Sequence, residues 1–211
     1  MKIKYLGHST FKITSDKTIV IDPHDPEYGT LPADLTADIV TVSHSHHDHN
    51  YLAGVRGEPK IIDSVGEYDL DNIKITGVPT FHDDSLGVKR GGNIVFVYEI
   101  EGLRLSHLGD LGHLLNDDQL NQIGPIDIVM ISVGGTYTID ADQAVEVVKQ
   151  LQAKVVLPMH YKTADSASDS VLAPVDDFVQ KMGWKVEKVV QFEINTNNLD
   201  RFAGKVIIFS S

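Results

Sequence analysis

His44, His46, Asp48 and His49 place three imidazoles and one carboxylate within six residues, in the run His44-Ser45-His46-His47-Asp48-His49. Neutral imidazole and carboxylate are donors that suit zinc, iron or manganese, and crowding them together without a cation is costly. The alternative reading is a solvated histidine-rich loop. Three further residues of the same chemistry stand far along the chain: His82 in Thr80-Phe81-His82-Asp83, Asp110 in Gly109-Asp110-Leu111, and His160 in Pro158-Met159-His160. The sequence has 10 histidines, all between His8 and His160, and no cysteine. Thiolate metal sites, thiolate catalysis and disulfides are therefore excluded.

These residues need elements to carry them. Apolar, β-branched runs bounded by Gly, Pro or Asp predict strands over 2–6, 11–14, 18–21, 38–42, 73–77, 94–100, 104–107, 127–131, 155–157 and 205–209. His44, His82, Asp110 and His160 each follow one of these runs closely, His82 after a further short run over 78–81. Loops at one end of a sheet converge in space, so this placement predicts one shared site built from separate strand ends. Three helices are marked by their ends. The first starts at Asn116 with Gln119 as a capping-box partner and stops at Gly124-Pro125. The second starts at Asp140 with Gln143 in the equivalent place, and carries Ala141, Ala144, Val145, Val148 and Leu151 on one face. The third has Pro174 in its first turn and ends at Gly183. Many strands with a few amphipathic helices imply an α+β, layered α/β chain. At 211 residues a single domain over 1–211 is expected.

The four motifs, in this order, resemble those of the metallo-β-lactamase superfamily. Leu6-Gly7-His8-Ser9-Thr10-Phe11 resembles the branch with ascorbate-6-phosphate lactonases and N-acyl-phosphatidylethanolamine phospholipases. Gly134-Gly135-Thr136-Tyr137-Thr138-Ile139-Asp140 resembles bacterial members of that branch described as predicted metal-dependent hydrolases. The resemblance implies an αββα sandwich, with two mixed β-sheets flanked by helices. It also implies two divalent ions, zinc first, with manganese or iron as alternatives. His44, His46 and His82 would hold one ion, Asp48, His49 and His160 the other, and Asp110 would bridge them. A dinuclear hydrolase follows, in which a metal-bridging hydroxide attacks a small ester, lactone, amide or phosphoester, with Asp48 and Asp110 in the catalytic centre. Position 46 is His, unlike the oxygen-reducing diiron branch, which has Glu there. Many relatives place Gly two or three residues after the last motif histidine. Here Asn50-Tyr51-Leu52-Ala53 come before Gly54, so the start of the next short helix stays open.

Other residues group around this expected centre. His8 is a candidate to orient substrate or donate a proton. Asp22, ending a strand before Pro23, is a candidate to brace the motif loop from behind. Tyr137, Tyr161 with Lys162, and Arg90 with Asn93 beside Gly91-Gly92 are candidates to reach substrate. His47 is expected to point away from His46, His107 to be packed behind the site, and His24 and His113 to lie in loops as surface residues.

Composition bounds the partners. The formal charge is −12, and its 18 Lys and Arg residues are scattered. A nucleic-acid substrate is thus disfavoured, and a small-molecule substrate is expected. No apolar run is long enough for a membrane span, and the polar start Met1-Lys2-Ile3-Lys4-Tyr5 reads as a strand, so a cytoplasmic protein is expected. A homo-oligomer stays open. Two other function classes remain beside the hydrolase: a mononuclear iron enzyme like the persulfide dioxygenases, and a non-catalytic metal-binding module.

Overall fold

The computed structural model describes residues 1–163 and 171–210. Near the start, alternation decides the strands: Ile3 is buried where Lys2 and Lys4 face out, and Phe11 and Ile13 are buried on either side of a part-exposed Lys12. Strands β1 (Lys2–Gly7), β2 (Thr10–Thr14) and β3 (Thr18–Ile21) form an antiparallel meander. Strands β4 (Ile39–Thr41) and β5 (Lys60–Ile62) add to it in parallel. Next, β6 (Gly66–Leu70), β7 (Ile73–Phe81), β8 (Gly92–Ile100) and β9 (Leu103–His107) run antiparallel. The second half alternates helix and strand: α1 (Asp117–Ile123), β10 (Ile128–Ser132), α2 (Ala141–Gln150), β11 (Val155–Met159) and α3 (Val175–Met182). It closes with β12 (Lys185–Val189), β13 (Phe192–Glu193), α4 (Leu199–Phe202) and β14 (Lys205–Phe209).

Two mixed sheets result, ordered β13-β1-β2-β3-β4-β5 and β12-β14-β11-β10-β9-β8-β7-β6. Between them Phe11, Ile13 and Ile21 meet Phe96, Met130 and Leu157 in one apolar layer. Tyr98 reaches into that layer and satisfies its hydroxyl on Thr41 Oγ1 at 2.7 Å. On the outer face of the large sheet, Val95, Val129 and Val156 pack beneath Ala144 and Val148 of α2 and Phe178 of α3. The strands β10 and β11 are buried at every position, as parallel strands covered on both faces must be. The outer face of the small sheet is covered differently. Val20, Val40 and Val42 lie under Leu35 and Val55, from loops that contain only the 3-10 turns Pro26–Tyr28 and Leu52–Gly54.

The helix ends match their chemistry. Asn116 and Gln119 form a reciprocal capping box at α1, and Asp140 and Gln143 form another at α2, each cap contributing about 1 kcal/mol. Gly183 closes α3 in the left-handed conformation. Pro174 caps α3 from outside its first turn. One strand expectation also needs correction. The breaks expected around Gly77 are absent, because β7 runs unbroken to Phe81 against nine residues of β8. Pro79 is tolerated there because β6 has already ended opposite Gly77. Among the described residues no helix is long and apolar enough to cross a membrane.

Candidate metal centre

Five strand ends meet at one edge of the two sheets. The turn after β1 carries His8, the loop after β4 carries residues 43–49, and β7 ends one residue before His82. Asp110 follows β9, and His160 follows β11 directly. His44, His46 and His82 gather at one side, with one donor atom of each within 4.8 Å of the others. His8, Asp48, His49 and His160 gather in the same way beside them. Asp110 lies between: Oδ2 is 3.2 Å from His82 Nε2 and 3.4 Å from His160 Nε2, while Oδ1 is 3.3 Å from His49 Nε2.

These short separations are not ordinary hydrogen bonds. Asp110 Oδ1 and His49 Nε2 are both buried and both lack a hydrogen-bond partner, although they are 3.3 Å apart. His44 Nε2, His82 Nδ1 and His160 Nδ1 are likewise buried and unpartnered. Leaving such groups unpaired costs about 1–3 kcal/mol each. Two donors on one tetrahedral ion at ~2.0–2.1 Å would themselves stand roughly 3.4 Å apart. The donor set therefore fits divalent cations between these side chains.

The chain orients the donors from behind. Asp22 is fully buried and accepts three bonds: Oδ1 takes the Ser43 backbone N–H at 2.8 Å, and Oδ2 takes the Ser43 hydroxyl at 2.5 Å and His49 Nδ1–H at 2.8 Å. The Ser43 hydroxyl, having given its proton to Asp22, accepts from His44 Nδ1 at 2.9 Å. Both rings thus carry their proton on Nδ1 and turn the Nε2 lone pair toward the centre. Asn93 Oδ1 accepts the Asp110 N–H at 3.0 Å, while its amide group donates to the Leu108 carbonyl and to Thr80. His8, Asp22 and His160 all hold a left-handed backbone with φ of 52°, 45° and 50°. Each costs on the order of 1 kcal/mol, strain of the kind that collects at functional sites. Gly134 packs so tightly under His160 that a Cβ would overlap its carbonyl oxygen.

The electrostatics follow from burial among carboxylates. Burial pushes His44 down to about 3, and the nearby His49 adds to this. Burial likewise lowers His8 to about 4, opposed by its hydrogen bond to Asp48. Burial lowers His46 and His160 as well. His49 moves the other way: burial disfavours its charge, but Asp110 and Asp22 outweigh that and raise it well above the usual imidazole range. Burial would raise Asp110, yet the imidazoles around it, His160 and His49 first, hold it well below the usual carboxylate range. Asp48 is lowered in the same sense by His8 and His49 against its burial. His44, His46 and His160 are thus neutral beside ionised carboxylates, the state that binds a cation, and a cation beside Asp110 would displace the second proton of His49.

The structure sorts the remaining candidates. Asp22 sits behind the motif loop. His8 lies at the front, Nε2 3.1 Å from Asp48 Oδ2. Tyr161 is buried in the helix-side core and stacked on Tyr5 at 6.4 Å, so it braces the chain after His160 and does not line the opening. Asn93 is buried behind Asp110 and does not lean over the pocket, because all its polar atoms are taken by backbone and Thr80. His47 is exposed, 3.8 Å from Asp25 and Glu27. His107 is packed behind the site, bonded to the Ser9 carbonyl at 2.9 Å. His24 is not a surface residue: it is fully buried, its ring set between the Leu6 and Asp25 carbonyls. His113 is part-buried and accepts the Phe81 N–H. Arg90 and Tyr137 meet at the rim, the guanidinium 5.4 Å from the ring centroid. Sequence reasoning missed Ser43, whose hydroxyl links Asp22 to His44, and Tyr28, whose ring lies 4.6 Å from His8. Ser43 directly precedes the motif and could have been noticed; Tyr28 left no local signal.

With this geometry in hand, comparison with known proteins is informative. The β-lactamase superfamily domain matches residues 2–160. A UPF0173 metal-dependent hydrolase of Thermococcus onnurineus is 30% identical over 90% of this chain and 96% of its own. A crystal structure from Thermotoga maritima, described as a Zn-dependent hydrolase of the metallo-β-lactamase superfamily, is 42% identical. It covers 100% of this chain and 99% of its own, with a TM-score of 0.82. A metallo hydrolase from Ignicoccus hospitalis is 26% identical and covers 92% of this chain and 99% of its own, with a TM-score of 0.71. The two mixed sheets, the four motifs at their shared edge and these relatives agree: this chain belongs to the metallo-β-lactamase superfamily, as one of its metal-dependent hydrolases.

Proposed function

We propose that the chain is a dinuclear hydrolase of a small ester, lactone, amide or phosphoester. The reading is carried by one observation: the buried His49 Nε2 and Asp110 Oδ1 stand 3.3 Å apart with no hydrogen bond to either, at the spacing of co-ligands. His44, His46 and His82 would hold one ion, Asp48, His49 and His160 the other, and Asp110, which touches donors of both groups, would serve both. Two such ions, zinc first for a nitrogen-rich set without thiolate, supply an activated water and polarise the substrate's oxygen.

The chain's own residues do the rest. Asp22 and Ser43 keep the His44 and His49 lone pairs aimed forward, so little reorganisation accompanies substrate binding. Asp48 is oriented by His8, whose Nε2–H donates to Oδ2 at 3.1 Å. Burial holds His8 down to about 4 and so neutral, and we assign it the positioning of Asp48. Quantifying metal per chain, then assaying lactones, phosphodiesters and thioesters with each metal restored, tests the reading. Two ions per chain and metal-dependent hydrolysis are expected. A single iron with oxygen consumption on a thiol substrate, or hydrolysis that survives metal removal, would sink it.

A further inference from the structure

Arg104 is tied into the fold, bonded to Glu99 and to the carbonyls of Ile123 and Pro125. Arg90 differs from it. Among the described residues its guanidinium pairs with no carboxylate; it rests over the Tyr137 ring at 5.4 Å and reaches the Thr136 carbonyl at 3.4 Å.

Its position is built, not incidental. Asp83, buried and next to His82, accepts backbone N–H groups from Ser85 and Gly87 on Oδ1 and from Lys89 and Arg90 on Oδ2. Four bonds to one carboxylate make the segment 83–90 an arm fixed to His82. The segment carrying Tyr137 is fixed to the other group of donors, since the Gly134 N–H bonds the His160 carbonyl at 3.0 Å. Arg90 thus stands where an arm from one side of the centre meets an arm from the other. Tyr28 adds a third element, its ring 4.6 Å from His8 and 5.7 Å from His47. Tyr28 and Tyr137 are both exposed, at 42% and 46%. A guanidinium pre-set on an aromatic face, with no carboxylate partner among the described residues, matches carboxylate or phosphate.

We propose that Arg90, resting on Tyr137, selects substrates that carry a second oxyanion, a carboxylate or a phosphate, apart from the bond that is cleaved. This rests on the hydrolase reading of the adjacent centre. The test uses zinc-reconstituted protein and measures equilibrium binding of succinate, 3-phosphonopropionate and monomethyl succinate. One oxyanion of each can occupy the centre, and only the first two offer another to Arg90. Roughly tenfold tighter binding of one or both dianions than of the monoester is expected. Arg90→Ala should erase that preference with zinc content unchanged, and Arg90→Lys should restore part of it. The dianion that keeps the Arg90-dependent preference identifies carboxylate or phosphate as the natural group. Equal binding of all three probes, or a preference unchanged in Arg90→Ala, overturns the proposal. The hydrolase reading fails separately, through absence of metal-dependent cleavage, which the binding measurement does not involve.

Discussion

His46 is exposed, and among the described residues its imidazole has no hydrogen-bond partner, whereas His49, three residues on, is fully buried with Nδ1 bonded to Asp22. The same contrast runs through the two groups of donors. In the first, His44 is tied down through Ser43 and the His82 backbone by the Gly91 carbonyl at 3.1 Å, while His46 is held by neither. In the second, His49 is held by Asp22, Asp48 by His8, and the His160 backbone by the His8 carbonyl at 2.8 Å. The second group is thus shaped by the chain's own hydrogen bonds, while the first relies more on the ion it is proposed to hold. Asp22 behind and Asp110 in front are the two carboxylates that serve both.

That asymmetry can be broken in order of severity. Asp110→Ala removes the carboxylate that lies between donors of both groups. It should lose both ions and lower hydrolysis by roughly a thousandfold or more, the several kcal/mol that metal activation supplies, measured by metal analysis and steady-state kinetics. His46→Ala should lose one ion per chain and most activity. Its metal-free stability should change by less than about 0.5 kcal/mol in a denaturant melt, because the ring is exposed and unbonded. A large loss of metal-free stability would show that the first group is also pre-shaped.

Asp22→Asn replaces no proposed ligand yet places an amide N–H opposite donors that need an acceptor. Competition with a chelator should show metal bound about 10–100-fold more weakly, and the metal-free protein should lose about 2 kcal/mol. Ser43→Ala is the mildest. It frees His44 but leaves His49 bonded to Asp22, so the cost should be about 1 kcal/mol and confined to the first ion. If Ser43→Ala weakened both ions equally, the two halves would not be independent.

Much of the fold was legible where a segment announces itself. The capping boxes at Asn116 and Asp140 mark α1 and α2 because the bonds that end a helix lie within three residues. The buried strands of the sheet centres read as apolar runs. Strands β5, β6 and β12 did not, since Lys60–Ile62, Gly66–Leu70 and Lys185–Val189 lie at sheet edges with polar, exposed residues and are defined by their neighbours. The 3-10 turns that cover the small sheet in place of full helices were equally silent.

For the site, the residue types and the order of the four motifs pointed to the side chains that the fold gathers at one edge, because donor chemistry belongs to the side chain. The tertiary structure alone decided which donors share a group, that Asp110 reaches both, and that Tyr161 and Asn93 face the interior. It also decided the tautomers of His44 and His49, through an aspartate 27 residues before His49, and brought Arg90 to Tyr137 across 47 residues of chain. Such contacts depend on how distant strand ends are set side by side, and no local pattern of residues encodes that distance.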